Sequence, residues 1–299
     1  MSFDCYSGQR KRLPSWLKKG IMDTDKTRIV RKLLLDLNLN TVCEGAKCPN
    51  KGECYARNTA TFMILGNECT RDCKFCAVGF NKNPDYDLNE PENVAIAVKE
   101  LELQYVVLTS VTRDDLADGG AGHFARTVLK IKELMPGVLI EVLVPDFKGA
   151  VKSVETVLDS GVDVFNHNVE TVKDLYNKAR PQADYKRTLE LIKYAKEYST
   201  KVITKSGFMV GLGETDAQIL ELCRDLLKHK CDIVTIGQYI QPTKQSLMVE
   251  KYYTESEFTI IKEMIQPLGF KKVVAGPLVR SSYNAFDVYM NAITFELRS

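Results

Sequence analysis

The chain has 299 residues, of which 44% are hydrophobic, and its 41 basic and 39 acidic side chains give a net charge of +2. This length suits one large domain with additions or two small domains, and the balanced charge indicates neither nucleic acid nor a membrane surface as a partner. No apolar run approaches the roughly 18 residues of a spanning helix. Since the N-terminus also has no apolar signal core, we expect a cytoplasmic protein.

Residues 1–60 are polar and cysteine-bearing, with one predicted helix at 24–38. From residue 61 onward, short runs rich in Val and Ile alternate with segments of helical period, a pattern typical of buried parallel strands joined by helices. The predicted strands are residues 61–66, 104–110, 138–144, 162–167, 201–210 and 232–238. The predicted helices that follow them are residues 92–101, 122–134, 150–160, 188–198, 216–228 and 256–266.

Six strand–helix units in succession predict an α/β fold with a parallel sheet. Right-handed crossovers wrap such a sheet into an open or partial barrel, which we place over residues 56–266. Residues 1–55 then form an N-terminal extension, and residues 267–299 form a C-terminal segment. In such folds the chemistry gathers at the carboxyl ends of the strands.

Six of the nine cysteines form two triplets: Cys43, Cys48 and Cys54, then Cys69, Cys73 and Cys76. An odd number of cysteines in a reducing compartment favours metal ligation over a disulfide framework. Closed structural zinc sites take four ligands, whereas an iron–sulfur cluster held by three cysteines leaves one iron open. The triplets therefore predict two clusters and a redox enzyme.

The second triplet begins three residues after the first predicted strand, on the loop where an active site is expected. Taken alone, this triplet could also be half of a zinc ribbon or a structural knuckle. The first triplet alone could be a zinc site or incidental.

The second triplet reads Cys-Thr-Arg-Asp-Cys-Lys-Phe-Cys, and this CxxxCxxC loop resembles the radical S-adenosylmethionine signature. Together the two triplets resemble the lipoyl synthase family, and the resemblance covers most of the chain. Besides the cysteines, the segments that carry it are residues 13–18, 109–121, 167–171, 180–181, 204–215 and 276–283.

The resemblance implies a partial (β/α)6 TIM-like barrel with a cluster-bearing extension and a C-terminal capping segment. The implied reaction inserts sulfur at the sixth and eighth carbons of a protein-bound octanoyl-lysine, with S-adenosylmethionine and two [4Fe–4S] clusters as cofactors. No side-chain base can open an unactivated C–H bond, so a cofactor radical must do so. The auxiliary cluster is the sulfur source. The implied partners are an octanoylated lipoyl carrier domain or protein, an external electron donor and an iron–sulfur repair or carrier protein.

The same resemblance assigns Cys69, Cys73 and Cys76 to the catalytic cluster and the first triplet to the auxiliary cluster. It also implies that a serine of the Arg-Ser-Ser-Tyr segment, residues 280–283, is the fourth ligand of the auxiliary cluster. An alkoxide is a harder partner for iron than a thiolate, which suits an iron that must be released. Spacing does not decide between the two serines. The family pattern favours Ser282, with Ser281 as the alternative.

The resemblance further implies contacts to S-adenosylmethionine from six residues: Gly119, Gly120, Asn168, Glu170, Arg180 and Lys205. Arg180 could pair with the methionine carboxylate through its planar fork, or it could be an ordinary surface arginine. Lys205 lies in an apolar strand, where an unpaired charge is costly to bury, so we expect an anionic partner for it.

Two other classes of protein share part of this pattern. Another radical enzyme, such as a biotin-synthase-like sulfur inserter or a methylthiolating enzyme, would share only the 69–76 loop. In such an enzyme the second triplet would hold a cluster and the first triplet would not. A zinc-dependent binding module would purify colourless, with zinc and no iron.

Overall fold

The structure is a computed structural model that describes residues 12–18, 24–45, 48, 50–56 and 61–296. Within these residues the α-helices are α1 (Asp25–Asp36), α2 (Val42–Gly45), α3 (Lys51–Ala56), α4 (Glu90–Glu100), α5 (Ala121–Leu134), α6 (Val151–Asp159), α7 (Tyr176–Ala179), α8 (Tyr185–Tyr198), α9 (Asp216–Lys228), α10 (Glu255–Ile265) and α11 (Ala285–Glu296). The strands are β1 (Thr61–Ile64), β2 (Glu68–Cys69), β3 (Gly79–Phe80), β4 (Tyr105–Ser110), β5 (Leu139–Leu143), β6 (Val164–Asn166), β7 (Ile203–Val210), β8 (Ile233–Gln238) and β9 (Lys272–Gly276). None of the helices in these ranges has both the length and the hydropathy to cross a bilayer.

The main sheet is parallel and has the strand order β1-β4-β5-β6-β7-β8-β9. Neighbours in this sheet follow one another along the chain, so every crossover winds in the same direction, as in a partial barrel. The six predicted strands and the helices after them are confirmed, with small shifts at their ends. The helix predicted at 24–38 is confirmed as α1, which Thr24 caps by accepting from the backbone N–H of Thr27.

Among the longer elements, the sequence analysis missed the seventh strand β9 and the helix α11; it also missed the short elements α2, α3, α7, β2 and β3. In β9 only Val273 is fully buried, so the strand lacks the continuous apolar run of a buried parallel strand. In α11 the buried face consists of Ala285, Val288 and Ala292, while Phe286 and Met290 are exposed. Small buried residues beside large exposed ones hide the helical period.

The two faces of the main sheet pack against different partners. Val106, Leu108 and Phe165 point outward and belong to the core under the crossover helices. Val107 and Val164 point to the concave face and belong to the core under α11. We expected the C-terminal segment to cap the barrel mouth. The residues before α11 lie at the carboxyl ends of the strands, where Val279 approaches Gly237, whereas helix α11 itself covers the apolar concave face near the amino ends.

The N-terminal extension covers the edge of the sheet at β1. Thr41 forms an antiparallel bridge with Phe62, and Met63 N–H donates to the carbonyl of Asn40 at 2.9 Å. Tyr55 in α3 and Thr41 are joined by a buried hydroxyl hydrogen bond of 3.0 Å. The extension thus supplies hydrogen-bond partners to a strand edge that would otherwise stay unpaired.

A charged network lies buried on the concave face. Lys205 Nζ contacts both carboxylate oxygens of Glu141 at 2.9 Å. Tyr105 Oη and Asn166 Nδ2 also donate to this carboxylate, at 2.7 and 2.8 Å. Glu141 and Lys205 are at most 1% exposed, so each charge depends on its partner for stabilisation.

Replacing Lys205 with Met should lower the free energy of unfolding by about 3–5 kcal/mol, because it leaves the Glu141 carboxylate buried without its cation. Urea denaturation of the metal-free protein measures this loss. The double change Lys205→Met with Glu141→Gln should cost less than the two single changes added together. The exposed pair of Lys152 and Glu155 provides a control, since Lys152→Met should leave stability unchanged. Additive single effects at Lys205 and Glu141 would contradict the prediction.

Candidate functional site

The second cysteine triplet lies on the loop after β1, at the carboxyl end of the sheet. Cys69 is the last residue of β2, and Cys73 and Cys76 follow in the turn before β3. Backbone N–H groups point at two of the sulfurs: Thr112 donates to Cys69 Sγ at 3.3 Å, and Val78 donates to Cys76 Sγ at 3.4 Å. Such bonds stabilise a ligating thiolate and tune the metal that it holds.

Burial governs the acidity of two of these thiols, Cys73 and Cys76. It raises the pKa of Cys76 to about 11, and proximity to Cys73 and Cys69 adds to the rise. Burial also raises the pKa of Cys73, although the charge of Arg180 opposes that rise. Burial thus favours the protonated forms of Cys73 and Cys76, and a bound metal must displace these protons.

The first triplet is divided between two short helices. Cys43 lies buried in α2, Cys54 lies in α3, and Cys48 lies between them. Burial raises the pKa of Cys43 to about 12, with further contributions from nearby Cys48 and Cys54. Across the described ranges, no three His, Cys, Asp or Glu side chains converge as a site for one metal ion. A [4Fe–4S] cluster binds each thiolate at a different iron, so its ligands need not converge on one point.

The C-terminal segment folds back onto the first triplet. Asn50 Nδ2 donates to the carbonyl of Leu278 at 2.7 Å, and Tyr283 Oη donates to Glu53 Oε1 at 3.0 Å. Cys54 and Ser282 line the same cleft, whose volume is about 380 Å³. The structure therefore brings Ser282 and Cys54, which lie more than 200 residues apart in sequence, to the lining of one cleft.

The two serines of this segment have different surroundings. Ser281 Oγ accepts a long hydrogen bond of 3.5 Å from Asn168 Nδ2, on the loop after β6. Ser282 instead faces the cleft that Cys54 lines. This difference favours Ser282 over Ser281 as the serine available to the first triplet.

Two glycines at the carboxyl ends of β8 and β9 have no side chain, and this leaves room for the C-terminal segment. A Cβ on Gly237 would lie 2.2 Å from the carbonyl oxygen of Val279, and one on Gly276 would lie 3.1 Å from its Cγ2. Sequence analysis missed Gly237, although a glycine inside a strand is a signal of close backbone approach. It also missed Arg280, a guanidinium that lies near both Cys48 and Glu170.

Asn168, Glu170 and Arg180 come together beside the second triplet. Arg180 Nη1 donates to the carbonyl of Asn168 at 2.9 Å, so Arg180 is a buried side chain and not a surface arginine. Glu170 has a positive φ of 69°, an uncommon conformation for a non-glycine residue and one associated with functional sites. Burial raises the pKa of Glu170, while the charge of Arg180 opposes the rise.

Several buried polar atoms at this end of the sheet have no hydrogen-bond partner among the described residues. They include Arg180 Nε, Asn168 Oδ1 and Ser110 Oγ. Buried polar groups are rarely left unpaired, and their clustering beside three thiols indicates a site for a polar ligand. A charged ligand with amino, carboxylate and hydroxyl groups fits this set of donors and acceptors.

Gly119 and Gly120 adopt backbone conformations that favour glycine, at the same end of the barrel. Their φ values are 63° and 90°, and Gly120 precedes α5. A Cβ on Gly120 would lie 2.3 Å from Cδ1 of Leu65, just beyond β1. Their glycine character is thus explained by conformation and packing, and their proposed contact with S-adenosylmethionine stays a prediction.

Lys205 has the anionic partner that the sequence analysis expected, and that partner is Glu141. Both oxygens of this carboxylate contact the ammonium, so the charge of Lys205 is already compensated within the chain. No cofactor is needed to balance this charge, and the expected contact of Lys205 with S-adenosylmethionine stays a prediction.

A hydrogen-bond chain supports Arg180 from behind. Arg180 Nη1 donates to Tyr176 Oη at 3.0 Å, and Tyr176 and Thr188 are joined at 2.6 Å. His167 lies 3.2 Å from Thr188 through Nε2 and 2.7 Å from the carbonyl of Val144 through Nδ1. Since the carbonyl can only accept, Nδ1 carries the proton and Nε2 of the neutral ring accepts from Thr188.

Burial lowers the pKa of His167 from 6.5 to about 4. Because the unfolded chain binds this proton more readily than the folded one, stability should fall as the pH drops from about 6.5 to about 4. The free energy of unfolding of the metal-free protein, plotted against pH, should have a smaller slope over this window in a His167→Leu variant. Equal slopes in the variant and the parent protein would show that His167 is not the group responsible.

Two family models match the chain. The model of the radical SAM superfamily matches residues 63–226, and the model of the N-terminal domain of lipoyl synthase matches residues 3–48. The chain is 52% identical over 274 residues to a lipoyl synthase of Caldanaerobacter subterraneus, covering 92% of this chain and 96% of the relative. It is 50% identical over 288 residues to a mitochondrial lipoyl synthase of Schizosaccharomyces pombe, covering 94% of this chain and 78% of the relative.

Solved structures share the fold at low identity. Methylornithine synthase aligns with a TM-score of 0.56 and 16% identity, covering 89% of this chain and 80% of that one. Streptococcus suis SuiB bound to S-adenosylmethionine aligns with a TM-score of 0.56 and 15% identity, covering 73% of this chain and 50% of that one. These likenesses show the barrel architecture alone.

Proposed function

The chain belongs to the lipoyl synthase family of radical S-adenosylmethionine enzymes, and we infer that it inserts two sulfur atoms at the sixth and eighth carbons of a protein-bound octanoyl-lysine. The observation that carries this inference is the meeting of the first cysteine triplet with the Arg-Ser-Ser-Tyr segment, through Asn50 with Leu278 and Tyr283 with Glu53. A radical enzyme that has only the second triplet does not need its C-terminal segment to contact an N-terminal extension in this way.

We propose that Cys69, Cys73 and Cys76 hold the catalytic cluster, and that the first triplet and Ser282 hold the auxiliary one. When bound, the two clusters and S-adenosylmethionine supply the electron, the organic radical and the inserted sulfur. The backbone donors at Cys69 and Cys76 support thiolate ligands. In the catalytic cluster, three cysteines leave one iron free of protein ligands.

The residues beside the second triplet have distinct proposed roles toward S-adenosylmethionine. Arg180 has an unpaired Nε and a planar guanidinium, which suits the methionine carboxylate. Asn168 and Glu170 offer acceptors for the amino group and the ribose hydroxyls, and Asn168 Oδ1 has no partner within the part of the chain that the structure describes. Gly119 and Gly120 lie on the loop after β4, where their backbone can approach the methionine part.

The loop after β8 closes one side of this site against water. Leu247 N–H donates to the carbonyl of Lys74 at 2.8 Å, inside the cysteine loop, and Tyr239 Oη donates to the carbonyl of Leu247 at 2.7 Å. Phe75 packs against the buried cluster that contains Leu212 and Tyr239. A radical reaction requires such closure, since water and solvent would quench reactive species.

The proposed macromolecular substrate is an octanoylated lipoyl carrier domain or protein. Two further partners follow from the chemistry: an external electron donor and an iron–sulfur repair or carrier protein that replaces the consumed cluster. A cytoplasmic location is also part of the proposal, because cluster ligation requires reduced thiols, and the described cysteines are free of disulfides.

Separate replacement of the two triplets tests the division of labour. Changing Cys69, Cys73 and Cys76 to Ala should abolish formation of 5′-deoxyadenosine while one cluster remains, measured as iron and sulfide content. Changing Cys43, Cys48 and Cys54 to Ala should preserve 5′-deoxyadenosine formation but give no sulfur-containing product by mass spectrometry of the carrier. Sulfur insertion by the second variant, or undiminished 5′-deoxyadenosine from the first, would reject the assignment.

The serine ligand is tested by a matched pair of variants. Ser282→Ala should leave both clusters largely assembled, because three thiolates still hold each core, yet it should block sulfur insertion. Ser281→Ala removes a hydroxyl from the neighbouring residue, which faces Asn168, and should retain insertion. Loss of insertion in Ser281→Ala with retention in Ser282→Ala would reverse the choice between them.

A further inference from the structure

Arg71 is the charged residue of the cysteine loop that turns into the protein. It lies two residues after Cys69 and two before Cys73. Its side chain is 3% exposed, whereas those of Asp72 and Lys74 are 59% and 44% exposed. A guanidinium carries five donors, so a buried one must find several acceptors.

The acceptors of Arg71 lie on two other loops. The guanidinium forms a bidentate pair with Asp114, with Nε–Oδ2 at 2.7 Å and Nη2–Oδ1 at 2.9 Å. Nη2 also donates to Asp146 Oδ1 at 2.6 Å. Because Asp114 follows β4 and Asp146 follows β5, one side chain joins the cysteine loop to two neighbouring strand ends.

Asp146 is fully buried and is held from a second side. Its Oδ2 accepts from Arg187 Nη1 on α8 at 3.1 Å. Burial alone would raise the pKa of Asp146, but the hydrogen bonds and charge of Arg71 hold this pKa well below its usual range. The carboxylate therefore stays ionised and the network of two arginines and two aspartates is balanced in charge.

A second set of bonds ties the same loops together at Cys69. Thr70 Oγ1 donates to the carbonyl of Thr112 at 2.9 Å and accepts from the N–H of Asp114 at 2.9 Å. Thr112 N–H in turn donates to Cys69 Sγ. Any shift of Asp114 relative to the cysteine loop would therefore displace a donor at a ligand sulfur.

We propose that Arg71 is a positioning residue, whose planar fork fixes Cys69 and Cys73 against the carboxyl ends of β4 and β5. The fork thereby holds these two cysteines at a fixed position relative to the site formed by Asn168, Glu170 and Arg180. This inference rests on the proposed assignment of the second triplet to the catalytic cluster. Arg71 acts through the loop, because its Nε and Nη2 are already engaged by two carboxylates.

Arg71→Lys is the informative change, since lysine keeps the charge but lacks the bidentate fork. The full-length protein is reconstituted anaerobically, and its iron content, reduced-state EPR spectrum and S-adenosylmethionine affinity are measured. We expect unchanged iron content, a diminished change in the EPR spectrum on adding S-adenosylmethionine, and a dissociation constant raised by about tenfold or more.

Arg113→Lys is the matched control. Arg113 is 2% exposed and forms a bidentate pair with Asp115, on the same loop as Asp114. Both lysine variants should lower the melting temperature of the metal-free protein, but only Arg71→Lys should change the EPR response and the affinity. Equal effects of the two variants on these readouts, or wild-type behaviour of Arg71→Lys, would overturn the proposal.

A second variant covers the case in which Arg71→Lys does not fold. Asp114→Asn weakens one arm of the fork while leaving Asp146 in place, and it should reduce the same EPR response and affinity. Unchanged values in this variant would also overturn the proposal. A wild-type protein whose spectrum does not respond to S-adenosylmethionine would instead reject the proposed function.

Discussion

The closure of the C-terminal segment onto the N-terminal extension is the constraint on which the proposed two-cluster arrangement depends. The hydrogen bonds of Asn50 with Leu278 and of Tyr283 with Glu53 span nearly the whole barrel in sequence. The entropic cost of closing so long a loop grows only with the logarithm of its length, so a few buried contacts and a bound cluster can offset it.

The concave face of the sheet is divided between structure and chemistry. Near the amino ends of the strands, α11 covers apolar residues such as Val107 and Ile233. Glu141 and Lys205 form a charge-compensated layer on the same face. Toward the carboxyl end of β8, the missing side chain of Gly237 leaves room for the C-terminal segment. The apolar floor stabilises the barrel, and the open end remains for ligands.

Residues that do not line the proposed cofactor site hold its side chains in position through hydrogen bonds. Tyr176, Thr188 and a neutral His167 support the guanidinium of Arg180 from behind. Arg71 holds the cysteine loop through carboxylates on two further loops. Pre-organised supports of this kind keep reacting groups within the narrow geometric limits that catalysis requires. The rigidity of the site therefore comes from buried polar networks, each nearly complete in hydrogen bonds.

The sequence by itself determined the strand–helix alternation, the division of the ligand cysteines into two groups and the family, because residue periodicity and short thiol spacings are local properties. It did not determine that Lys205 pairs with Glu141, or that Arg71 turns inward, because such pairings join residues distant in the chain. Nor could spacing separate Ser281 from Ser282. Only the tertiary structure placed one serine toward Asn168 and the other in a cleft that Cys54 also lines, since packing over more than 200 residues orients that turn.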